Sequence, residues 1–233
     1  MTAGLTFTSN YTWSKSIDTV SFNANGTLHS GFNTVADPFN LRAYRGLSDF
    51  DLPHSFSTSL VWQLPSSKSD NFIPKHILSH WQVTGIWIWQ AGQPFSVLSG
   101  VDNSLSGVGL DFADRVPGVS PLLDSNRPRG EVVNQYFNVA AFQQNALGTF
   151  GNSGRNTLRG PGYNNLDFAV MKTIAFNNDK YGLTLRGEFF NITNTPHFTA
   201  PTGAGGGIST PQAGQILHAR DPRIIQVAIK FNW

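Results

Sequence analysis

The chain has 233 residues, of which 39% are apolar and only 13% charged, and it contains no cysteine. That share of charge is too low for the solvated surface of an ordinary soluble protein, and the missing cysteine excludes a disulfide framework, a thiolate metal site and a cysteine nucleophile. The 16 Lys and Arg exceed the 14 Asp and Glu by +2 but are scattered, without the basic stripe or aromatic platform of a nucleic-acid binder, so no nucleic-acid partner is expected.

No stretch of about 18 apolar residues occurs, which excludes a membrane-spanning helix and leaves a closed β-barrel as the way to cross. The first seven residues carry neither the basic nor the apolar region of a secretory signal, so the chain is read as the tail of a longer exported protein. Leu5, Phe7, Tyr11 and Trp13 alternate with Thr6, Thr8, Asn10 and Thr12, predicting a strand over 5–14 with one apolar and one polar face. A second strand, 55–64, sets Phe56, Leu60, Trp62 and Leu64 against Ser55, Ser57, Ser59 and Gln63. In a third, 81–91, Trp81, Val83, Trp87 and Trp89 oppose Gln82, Thr84 and Gln90, although Ile86 and Ile88 blur the contrast. The fourth, 166–176, groups Leu166, Phe168, Val170, Ile174 and Phe176, with Lys172 awkwardly sharing their side. A lysine there costs about 2–4 kcal/mol at the membrane midplane, so either it snorkels to an interface or a bulge shifts the register.

The fifth strand, 181–192, sets Tyr181, Leu183, Leu185 and Phe189 against Thr184, Arg186 and Glu188. The last twelve residues, 222–233, alternate Ile225, Val227, Ile229, Phe231 and Trp233 with Gln226, Ala228, Lys230 and Asn232, and stop on an aromatic. Those five apolar residues have the form of an outer-membrane assembly signal. Each segment has roughly the ten residues that a tilted membrane strand needs. The expected fold class is therefore all-β: about six antiparallel, up-and-down transmembrane β-barrel strands, a partial barrel, with long outer loops.

The connections alternate in length, being long at 15–51, 98–164 and 194–221 and shorter at 65–80 and 177–180. Periplasmic turns are short and outer loops long in bacterial barrels, so the shorter connections are assigned to the periplasm. This topology puts Trp62, Trp81, Phe176, Tyr181, Phe231 and Trp233 at the periplasmic strand ends as an aromatic girdle, and Tyr11 and Trp13 at the outer end.

Several loop segments carry a family resemblance: Asp37-Pro-Phe-Asn-Leu-Arg42, Gly46-Leu-Ser-Asp-Phe-Asp51 with His54, Trp81-Gln-Val-Thr-Gly85, and Gln90-Ala-Gly-Gln-Pro-Phe95. Phe150-Gly-Asn-Ser-Gly-Arg-Asn-Thr-Leu-Arg-Gly-Pro-Gly162 and Leu185-Arg-Gly-Glu-Phe-Phe-Asn-Ile-Thr-Asn194 complete the set. Together they resemble the C-terminal barrel of TonB-dependent outer-membrane receptors, especially the subgroup with a carboxypeptidase-regulatory-like domain. The resemblance implies a barrel of about 22 strands around an N-terminal plug, importing a large nutrient such as an oligosaccharide, peptide or metal chelate with energy from the TonB system. It also implies the partners: outer-membrane lipid, the barrel-assembly machinery, and the N-terminal barrel and plug of the same protein. The chain departs from the pattern in having no plug or TonB box, and in ending on Trp rather than Phe.

Candidate chemistry is sparse. No Gly-x-Ser-x-Gly elbow occurs and the six histidines are dispersed, so no enzyme activity is expected. His76 and His80 have a helical zinc spacing without a third ligand, and the glycines of 203–207 lack the Lys-Ser/Thr of a phosphate cradle, so no metal or other cofactor is expected. Asp37, Asp49 and Asp51 are weighed as an outer-loop calcium site against solvated loop carboxylates, which are favoured. Arg155-Asn-x-Leu-Arg-Gly-Pro-Gly162 is read as loop architecture. Asp167, Arg186 and Glu188 point to the lumen by parity and are candidates for a wall network facing a plug or solute. Two rivals stand beside this reading. One is a small self-contained porin or adhesin-like barrel; the other is a soluble β-sandwich that binds carbohydrate on Trp87 and Trp89.

Overall fold

The computed structural model describes residues 4–21, 35–67, 77–176, 180–202 and 206–233. His76, the turn residues 177–179 and the glycine-run residues 203–205 lie outside the described residues. Among those described, no helix is long and apolar enough to cross a membrane. Six long strands form one sheet: β1 (Gly4–Trp13), β2 (His54–Gln63), β3 (Trp81–Gln90), β4 (Tyr163–Phe176), β5 (Tyr181–Phe190) and β6 (Ile224–Asn232). They pair in chain order as an antiparallel meander, with β1 and β6 at the two edges. The alternating sequences therefore form the six expected strands. β4 begins at Tyr163 rather than 166, and β5 ends at Phe190 rather than 192.

Directly opposed residues of antiparallel strands share a face, so the register decides whether the six apolar stripes coincide. They do. Leu5 pairs with Trp62, Trp62 with Val83, Val83 with Val170, Val170 with Gly187 and Gly187 with Val227. A one-residue slip at any pairing would have thrown one stripe to the polar side. The pairing of β4 with both neighbours runs unbroken through Lys172, opposite Trp81 and Leu185, so the bulge alternative fails. The Lys172 ammonium instead donates to the Ser79 carbonyl in the turn below and lies 5.4 Å from the Trp81 ring centroid.

Among the described residues, no second layer covers the apolar face. Phe7 is 63% exposed, Val227 76% and Trp13 76%, and Trp62, Trp87, Trp89, Ile229 and Phe231 are also exposed. An open face of this kind contradicts the soluble sandwich, in which a partner sheet would bury it.

The buried core lies elsewhere, in a cap built by the long loops 14–53, 91–162 and 191–223. Phe95, Val97, Ala113, Phe137, Phe142 and Leu158 form one cluster, and Ala36, Tyr44 and Phe112 a second. Segment 94–99 threads between them: Pro94–Phe95 pairs with Leu158–Arg159, and Leu98 bridges both Phe112 and Gly207. Burying each large side chain in this way contributes about 1.5–3 kcal/mol. Gly151 is required where this packing is closest, since its φ is +76° and a Cβ would sit 1.9 Å from the Phe112 carbonyl oxygen.

Candidate functional site

The structure presents three surfaces on which function can act: the apolar face, the polar face and the loop cap. On the apolar face, Trp62, Trp81, Phe176, Tyr181, Phe231 and Trp233 sit at the strand ends that carry the short connections, and the Tyr181, Phe231 and Trp233 rings stack in sequence. Tyr11, Trp13, Phe56, Trp87 and Trp89 gather at the end carrying the cap. The Trp87 indole donates to Asn164 Oδ1 at 2.6 Å, and its ring meets Phe56 edge-on, so it belongs to this outer aromatic edge.

Both aromatic edges run obliquely to the hydrogen-bond rows, by the same amount. Trp62 is in register with Val227, and Trp233 lies six residues beyond Val227, four strands away from Trp62. At the other end Phe189 is in register with Phe7 through Phe168, Gly85 and Leu60, and Trp13 lies six residues beyond Phe7. Six residues are about 20 Å along a strand and four strand spacings about 19 Å, so bringing each edge level requires a strand tilt of about 45°. Membrane barrels tilt their strands by about 35–45°. The same slope puts Lys172 close to the lower edge, where its reach to Ser79 takes its charge out of the apolar band.

The polar face carries Ser, Thr, Gln and Asn from every strand together with the Arg186–Glu188 pair, whose Nη2 and Oε1 are 2.6 Å apart. These two share a face because they are two residues apart on β5. Asp167 lines the same shallow depression but bonds elsewhere: its Oδ1 accepts from the Asn191 backbone N–H and from Asn165 Nδ2, both at 2.8 Å. The sequence-based expectation of one three-residue network is thus corrected. Asp167 is tied to the turn at Asn191 that leads into the loop 191–223, where Asn191 and Asn194 adopt positive φ. Above it, Tyr163, His197, Arg220 and Asp221 line a cleft at the mouth of the polar face. The Tyr163 and His197 rings are 4.5 Å apart, the Arg220 guanidinium is 4.7 Å from the Tyr163 centroid, and His197 Nε2 lies 2.8 Å from the Asn164 carbonyl. Sequence reading missed this cleft, whose members come from a strand start and a loop without periodicity.

In the cap, the Arg155–Gly162 segment acts as a clamp. The Arg155 side chain is fully buried and donates to Asp18, to Asp49 at 3.2 Å and to the Ser21 hydroxyl at 2.6 Å. Asn156 Nδ2 donates to Asp49 Oδ1 at 2.7 Å, and Arg159 Nη2 to Asp51 Oδ2 at 2.5 Å. Burial alone would raise the Asp18 carboxyl, but the hydrogen bonds from Arg155, Ser21 and Ser48 hold it below the usual carboxylate range. Asp49 and Asp51 are therefore neither calcium ligands nor solvated, because arginine is their counter-ion. Asp37 serves locally, accepting from the Phe39 N–H at 2.9 Å. The Tyr136 hydroxyl, which donates to the Arg159 carbonyl at 3.0 Å, is pushed up to about 12 by burial. Among the described residues, no three His, Cys, Asp or Glu side chains gather as a metal site.

A single antiparallel sheet with an exposed apolar face, slanted aromatic edges and a loop cap at one end defines a membrane β-barrel wall. The family model for the outer membrane beta barrel domain matches residues 1–226, and the chain belongs to that family. It is a protein of the outer membrane. No curated protein and no solved structure matches the chain.

Proposed function

We propose that the chain is the C-terminal part of a TonB-dependent receptor, contributing six strands and three capping loops to a larger barrel that takes up a large nutrient and performs no enzymatic chemistry. The observation that carries this reading is that β1 and β6 each pair on one side only among the described residues. Unpaired backbone groups cannot stay in lipid, and about eight strands are needed merely to fill a barrel interior with side chains, which supports further strands beside these six, from the same protein in this reading and from other copies in the porin-like alternative. Large barrels of this kind hold a plug. The polar face, with Arg186 and Glu188, offers it a hydrogen-bonding wall. The motif likeness of the loops supplies the finer assignment, including the assembly machinery and the TonB system as partners.

Planar-bilayer conductance of the full protein purified from outer membranes tests the proposal. A plugged receptor gives no steady current until the plug is loosened by urea, and it is retained by the immobilised periplasmic domain of TonB. Steady open conductance without urea, and no retention, would favour a self-contained porin-like barrel instead.

A further inference from the structure

The loop cap contains a carboxylate with no counter-ion. Asp111 is 1% exposed, and among the described residues no Lys, Arg or His pairs with it, whereas Asp18, Asp49 and Asp51 all have arginine partners. Its Oδ2 accepts from the Ser104 N–H at 2.7 Å and from Asn145 Nδ2 at 3.0 Å, but its Oδ1 has no hydrogen-bond partner. The Oδ1 of Asn145 and the Oγ of Ser99 are likewise buried without a partner.

These three oxygens belong to one place. Leu98 bridges Phe112 in antiparallel fashion and the Ser99 N–H donates to the Asp111 carbonyl at 2.9 Å, so Ser99 and Asp111 are directly opposed and their side chains leave the same face of the ladder. Asn145 is joined to that carboxylate by its own amide. Of the four buried side-chain atoms without a partner among the described residues, three are therefore grouped here, the Oδ1 of this carboxylate and the two neighbouring oxygens of Asn145 and Ser99. An ionised carboxylate is costly to bury without a compensating charge.

We propose that Asp111 Oδ1, Asn145 Oδ1 and Ser99 Oγ bind a calcium-class divalent cation that braces the loop 91–162. The donor set is all oxygen with a single negative charge. That set suits a hard cation completed by water and excludes zinc or copper, which favour nitrogen and sulfur. One carboxylate gives weak binding, with an expected Kd of about 0.1–1 mM, in the range of extracellular modules. The site depends on the cap alone and holds whether or not the barrel is a TonB-dependent receptor.

The test is limited proteolysis of the full protein in detergent after chelation, with cleavage inside 91–162 followed by mass spectrometry and calcium chloride or magnesium chloride as the titrant. At about 10 mM calcium and a Kd near 1 mM, opening of the loop falls about tenfold, while magnesium has little effect. Asp111→Asn abolishes the calcium response. Asn145→Asp, by adding a second carboxylate, lowers the calcium concentration for half-protection and makes the loop more labile in chelator. Failure of calcium to slow cleavage of the unmodified protein overturns the proposal. An unchanged calcium response in Asp111→Asn overturns it too, by putting the cation elsewhere. Should Asp111→Asn not fold, the opposite shifts of Asn145→Asp in calcium and in chelator decide the matter.

Discussion

Replacing Arg155 with alanine probes what holds the outer loops to one another. The wild-type side chain is completely buried and reaches two carboxylates and a hydroxyl contributed by the loop 14–53. Truncation leaves Asp49 buried without that cation, a change that costs about 3–5 kcal/mol for a buried pair. The lower bound fits best here, because the Asp18 side chain is 24% exposed and can recover water when its partner is lost. About 3 kcal/mol corresponds to a rise of roughly a hundredfold in the open population of the cap. Proteolytic cleavage tracks that population when reclosing is faster than cutting. Proteinase treatment of the detergent-purified protein, with cuts mapped by mass spectrometry, should therefore show about a hundredfold faster cleavage within 14–53 and 91–162. Arg129→Ala, on an exposed side chain, should leave the rate unchanged. A rise of less than about threefold for Arg155→Ala would refute the clamp.

Three further outcomes follow from the same geometry. Ile229→Arg, midway between the aromatic edges on β6, should lower barrel stability by about 2–4 kcal/mol in a refolding titration into lipid, whereas Ile225→Arg at the outer edge should cost about 0–1 kcal/mol. Equal costs at the two positions would contradict the slanted band. Because the Asp18 carboxyl is held below its usual value in the folded cap, its contribution is complete above the unfolded pKa of about 3.9 and is lost as pH falls through the lower folded value. Hydrogen exchange of the loop 14–53 should accordingly gain an acid-induced opening below about pH 4 that Arg155→Ala removes. Gly151→Ala should open the cap, since both its φ and the Phe112 carbonyl forbid a Cβ, and cleavage near 151 should rise.

The sheet was legible because a two-residue period is written into each strand and cannot be shifted by one position without inverting it. Where the period fades, legibility fades with it: Tyr163 and Asn164 open β4 with no apolar alternation, and the sequence assigns them to the loop 98–164. The cap left no such trace. Its ladders at Pro94–Phe95, Asp114–Arg115, Phe142–Gln143 and Leu158–Arg159 are two residues long, too short for any periodicity to register. Its central ion pair joins residues 137 positions apart. Asp49 and Asp51 read as solvated loop carboxylates, with a calcium site as the alternative, because a carboxylate in a loop shows its charge but not its arginine partner. The one available signal was that a chain so poor in charge puts two arginines, Arg155 and Arg159, in a glycine-rich loop.

Whether the apolar side of the sheet touches lipid is decided most directly by a nitroxide scan along β6, from Ile224 to Asn232, in the full protein reconstituted into bilayers. Collision with dissolved oxygen, which concentrates among acyl chains, should be high at 225, 227, 229 and 231 and low at 224, 226, 228 and 230. A profile without that two-residue period, or one in which the odd positions are shielded from oxygen, would mean that protein rather than membrane covers this face.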